Sequence, residues 1–151
     1  MYNIIRIILS SFMASLGFGV LFNIKGNKLL LAGIGGSIGG TVYQIMIIFG
    51  ASEIFSMFLG SISFSLYSEI LARIYKTPVT TFLICALIPL VPGGGMYRTM
   101  LLVIQGKVEA ALSMGLNTLS IAGVLVLGIM IVSTVIKAYY KAKQKGLKRH
   151  A

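Results

Sequence analysis

Ile88-Pro89-Leu90-Val91-Pro92-Gly93-Gly94-Gly95-Met96-Tyr97-Arg98-Thr99-Met100 lies inside an apolar run that begins near residue 79 and ends near 104. Pro92 has no amide hydrogen, Pro89 lacks one a turn earlier, and three glycines permit backbone angles that other residues adopt only at a cost. One continuous helix over 79–104 is therefore not expected, and a break is predicted near residues 92–95. The meaning of that break depends on the surrounding solvent. In water it is an ordinary loop, but in lipid its unpaired backbone groups must be buried in protein or line a water-filled cavity.

The rest of the chain identifies the solvent as lipid. Of its 151 residues 57% are hydrophobic and 11% charged, against about 25% charged in soluble domains. Apolar windows cover about 4–22, 29–49, 53–74, 79–104 and 112–136. Each of these is long enough, at about 1.5 Å per residue, to cross a hydrocarbon core of roughly 30 Å. The predicted fold is all-α, a polytopic bundle of five transmembrane spans whose fourth is interrupted at Pro-Gly-Gly-Gly. No Ser/Pro-rich linker divides the chain, so residues 1–151 read as one transmembrane domain with a basic tail over 137–151. Arg6 ahead of an apolar stretch has the look of a secretory signal. The run continues to Phe22 without a polar cleavage region, however, and no cleavage is expected.

Thirteen Lys plus Arg against three Glu and no Asp give a net charge of +10. Such basicity in a soluble protein points to nucleic acid, but here the charges occupy the gaps between apolar runs, and no nucleic-acid partner is expected. Their distribution predicts orientation, because cytoplasmic loops carry the excess of Lys and Arg. With five spans and the C-terminus inside, Lys25, Lys28, Arg73, Lys76, Lys137, Lys141, Lys143, Lys145, Lys148 and Arg149 are cytoplasmic, and Arg6, Arg98 and Lys107 are external. Ten against three predicts N-out and C-in, with the tail against anionic membrane lipid. The lone Cys85, the lone His150 and the three Glu leave little for metal, triad or acid–base chemistry. Neither an enzyme nor a cofactor is expected.

A broken span is a device that transporters use to bind substrates. The amides of Gly94, Gly95 and Met96 would open a second half-helix, whose positive dipole end and free N–H groups favour a carboxylate. Tyr97, Arg98 and Thr99 bring a hydroxyl, a guanidinium and another hydroxyl into its first turn, and Arg98 can pair with an anion in planar fashion. Gly93, Gly94, Gly95, Tyr97, Arg98 and Thr99 are thus the candidate substrate-binding residues, with Pro89 and Pro92 making the break. An outer loop with a headgroup-binding arginine is the alternative.

Glu69 is the most membrane-embedded acid, and Arg73 lies four residues on, on the same helix face. Two readings are open: a structural ion pair at the cytoplasmic end, or a proton-carrying or ammonium-binding carboxylate. Glu53 and Glu109 lie at predicted span ends and are expected to be solvated. Gly35/Gly39 and Gly36/Gly40 set small residues four apart, a face for close helix packing, with a thin wall beside a substrate path as the alternative. Ser37, Thr41 and Gln44, and likewise Ser61, Ser65 and Ser68, fall on sides that could line a polar cavity. Asn117, costly to bury alone, is expected to hydrogen-bond across helices, with substrate contact as the alternative.

The run Ile88–Tyr97, together with Ser68-Glu69-Ile70-Leu71-Ala72-Arg73, Gly17-Phe18-Gly19-Val20-Leu21-Phe22-Asn23 and the Gly-Ser-Ile-Gly-Gly segment of Gly36–Gly40, resembles the threonine/serine exporter (ThrE) family. The resemblance is to its small YjjB-like subunits and spans nearly the whole chain. It implies a bacterial inner-membrane subunit that works with a larger YjjP-like membrane protein. Members are associated with proton-driven export of threonine and serine, and one pair with export of the dicarboxylate succinate. A non-transporting membrane scaffold is the rival reading, whose mark would be a continuous fourth span with no polar cavity.

Overall fold

The computed structural model describes residues 2–147, with side chains over residues 4–143. Of the tail charges, Lys148 and Arg149 lie outside the described residues, as does the side chain of Lys145. The described chain is all helical: α1 (Tyr2–Leu21), α2 (Asn27–Ile48), α3 (Glu53–Ile74), α4 (Thr80–Leu87) continued by a 3-10 turn (Ile88–Leu90), α5 (Gly93–Ile104) and α6 (Val108–Leu147). Four of these helices are long and apolar enough to cross a membrane. A fifth span results if Thr80–Leu90 and Gly93–Ile104, bent by 49° at the break, are counted as one.

Four of the turns between helices close in the same way. At the ends of α1, α2, α3 and α5 a residue enters the left-handed region: Asn23 (φ 57°), Gly50 (φ 81°), Lys76 (φ 48°) and Gly106 (φ 73°). The next amide in each case reaches back to a carbonyl of the last turn, as in Ile24 to Gly19, Ala51 to Met46, Thr77 to Ala72 and Lys107 to Leu102. This pattern satisfies carbonyls that helix ends leave orphaned, which matters most where lipid is near. Ser52 Oγ caps α3 by accepting from the Phe55 amide at 3.3 Å, with Glu53 in the first turn and Arg73 in the last, both matching the helix dipole.

The glycines of α2 explain its central position. A Cβ on Gly36 or Gly40 would overlap Ser15 or Ser11 of α1, and one on Gly33 would meet Phe12. On the opposite side, Gly35 faces Tyr67 and Ala86, and Gly39 faces Phe64 and Leu90. The small-residue face therefore packs within this chain, against α1 on one side and α3 and α4 on the other. Phe64, Met57, Ala86, Leu90, Ile121 and Leu125 form one apolar cluster, and Ala32, Leu71, Ala72, Phe82 and Cys85 a second.

α6 and α5 extend the sequence reading on points that hydropathy leaves open. α6 runs for 40 residues, so the segment expected as a polar tail after residue 136 continues as helix to Leu147. α5 packs on α6 and on no other helix among the described residues, and none of its residues is buried.

Candidate functional site

The break itself is made by the prolines. Val91 is extended (ψ 127°) and Pro92 (φ −76°, ψ 51°) stands as the cap of α5, while Gly93, Gly94 and Gly95 are helical and none of them has a positive φ. The expectation that the triplet supplies unusual backbone angles is thus corrected. What it supplies is the absence of side chains. A Cβ on Gly93 or Gly94 would meet open space, whereas one on Gly95 would lie 2.5 Å from Thr118 Oγ1.

The free amides also differ from those expected. The Gly93 amide donates to Val91 O at 2.7 Å and the Met96 amide to Pro92 O at 3.1 Å. The amides of Gly94 and Gly95 have no acceptor among the described residues, leaving two donors at the positive end of α5.

Beside them lies a cavity of about 570 Å³ at the Glu53 end of the bundle. Its walls come from both sides of the break and from every other long helix: Ser10 and Ser11 of α1, Gly40, Tyr43 and Gln44 of α2, Glu53 and Met57 of α3, Pro89 to Pro92, Gly94, Gly95 and Arg98 of α5, and Asn117, Thr118 and Ile121 of α6. Hydroxyl, amide, guanidinium and carboxylate groups share one recess, which suits a small, charged, hydrogen-bonding ligand.

The sequence-predicted residues divide around this cavity. Gly94, Gly95, Arg98, Pro89, Pro92 and Gly40 line it. Gly93 and Tyr97 do not; the Tyr97 side chain is 69% exposed on the outer face of α5. Thr99 also points elsewhere, its hydroxyl donating to Gly95 O at 2.8 Å and its methyl facing Gly115. Asn117 is exposed on the cavity wall and makes no interhelical hydrogen bond among the described residues, which leaves substrate contact as its open reading. Gln44 alone of the predicted polar sides reaches the recess. Ser37 donates to Ile8 O, and Ser61, Ser65 and Ser68 are buried in the bundle, with Ser61 against Gly128. Glu53, expected merely to be solvated, is exposed into the cavity.

Glu69 is remote from this site. It is 1% exposed, with Oε2 paired to Arg73 Nη1 and Oε1 accepting from Ser133 Oγ of α6 at 2.9 Å. Arg73 in turn stacks over the Tyr140 ring, 4.4 Å from its centroid. A buried acid thus has a partner on each oxygen, and the cluster ties α3 to α6 at the end opposite the cavity.

Beyond this geometry, the family model for the threonine/serine exporter, ThrE, matches residues 7–135. The chain belongs to the threonine/serine exporter family. The match covers every element that walls the cavity and the Glu69 cluster as far as Ser133. No curated protein and no solved structure matches the chain. ThrE membership and the apolar helices together make this a multi-pass membrane protein of the exporter type, in a family of transporters rather than enzymes.

Proposed function

We propose that this chain is a subunit of a proton-coupled secondary exporter of threonine and serine in a bacterial inner membrane, oriented N-out and C-in, and that the cavity at the Pro92 break holds the substrate carboxylate. The observation that carries the reading is that Arg98 lines one recess together with Gly94 and Gly95, whose amides have no acceptor among the described residues. Arg98 offers a charged fork and the amides a preorganised pair of donors, a combination suited to a carboxylate. A succinate-type dicarboxylate fits the same donors and is the second reading. The bent fourth span and its polar cavity favour transport over a scaffold role.

A larger YjjP-like partner has an available surface in this reading. Among the described residues α5 packs on α6 alone, and it leaves Met96, Tyr97, Met100 and Ile104 exposed. Proton coupling falls to Glu69, the buried carboxylate among the three Glu. Its contacts with Arg73 and with Ser133 of α6 would join that role to the α3–α6 packing.

Threonine export from cells that express the chain with its partner tests the site. Arg98→Lys keeps the charge and loses the fork, so export should fall about tenfold; Gly94→Val, which pushes a side chain into the recess, should abolish it. Wild-type export by both variants at normal membrane abundance would remove the site from this cavity.

A further inference from the structure

Glu53 stands in the first turn of α3, where an acid complements the helix dipole. That role requires no particular direction of the side chain; Glu53 is exposed and lines the same recess as Arg98. The two opposite charges share the cavity without pairing, since the described ion pair is that of Glu69 with Arg73. The same walls carry neutral hydrogen-bonding residues, Gln44, Tyr43 and Asn117. A site for an anion alone gains nothing from a carboxylate, which repels the ligand and raises the cost of desolvating it. A site for a zwitterion needs a separated positive and negative group.

We infer that Glu53 recognises the α-ammonium group of the substrate and is the residue by which the cavity favours α-amino acids over dicarboxylates. This rests on the reading that Arg98 and the Gly94 and Gly95 amides hold the α-carboxylate. With the carboxylate there, Glu53 attracts the ammonium of an amino acid and repels the second carboxylate of a dicarboxylate. One residue then acts in both directions on selectivity. It takes the ammonium-binding role that the sequence alone left open for Glu69, whose two oxygens are already occupied by Arg73 and Ser133.

The test compares binding of L-threonine with binding of 2,3-dihydroxybutanoate, which has a hydroxyl in place of the ammonium, to the purified complex in lipid nanodiscs. Glu53→Gln should weaken L-threonine by about tenfold or more and leave 2,3-dihydroxybutanoate unchanged or tighter. Glu53→Asp, which restores the charge, should recover most of the threonine preference. Glu109→Gln, an exposed acid outside the cavity, serves as control and should change neither. Arg98→Gln should weaken both ligands. If Glu53→Gln leaves the ratio of the two affinities at its wild-type value while Arg98→Gln weakens both, the role of Glu53 is refuted and the carboxylate site survives. If Arg98→Gln binds both as wild type does, the carboxylate site fails and this inference with it.

Discussion

A Cβ on Gly94 would enter open space, whereas one on Gly95 would press on Thr118 and force α5 away from α6. Adjacent glycines thus report on different things. Gly94→Ala should leave thermal stability within about 0.5 kcal/mol of wild type, so any loss of export in it reads the site. Gly95→Val should cost about 1–3 kcal/mol by overpacking, visible as a lower melting temperature in detergent. The proline break was legible in the sequence because proline chemistry is local. Which glycine touches a neighbour was not, because that depends on Thr118, 23 positions further along the chain. Glu69 shows the same limit: its i,i+4 partner Arg73 follows from helix spacing, but Ser133 comes from another helix. If Glu69 carries the coupling proton, Glu69→Gln should flatten the pH dependence of export while keeping the fold. A pH profile unchanged in Glu69→Gln, with Arg73→Gln equally damaging, would leave the cluster a structural clamp.

At the scale of elements, hydropathy located the helices well because lipid demands a minimum apolar length. It did not locate the end of α6. Lys137, Lys141 and Lys143 mark the end of apolar sequence, yet Ala, Lys and Gln are good helix formers and nothing there breaks the helix. Conversely, the packing role of the α2 glycines was readable from their spacing, but their partners were not. Gly36→Leu should separate α2 from Ser11 and Ser15 of α1 and sharply reduce the amount of folded protein recovered from membranes. The turns offer the opposite kind of change. Lys76 adopts a left-handed conformation suited to glycine, so Lys76→Gly should stabilise by about 1 kcal/mol, measured as a rise in melting temperature.

For the whole molecule, orientation rests on the ten-to-three division of Lys and Arg between the two sides. In a Cys85→Ala background, which removes the buried native thiol, an impermeant thiol reagent added to intact cells should label Ala51→Cys and spare Ala142→Cys. Labelling of Ala142→Cys from outside would invert the topology. With N-out, the Glu53 end of the bundle faces the exterior, and the recess that holds Arg98 and Glu53 lies on that side. The central claim, that this recess holds the substrate, is tested most directly by substrate protection. Ser10 lines the cavity, whereas Gln105 sits in the exposed turn between α5 and α6. In the same background, with its partner present, saturating L-threonine should slow modification of Ser10→Cys by a small water-soluble thiol reagent about tenfold and leave Gln105→Cys unaffected. Modification of Ser10→Cys at the same rate with and without L-threonine, in a complex that still exports it, would contradict the account.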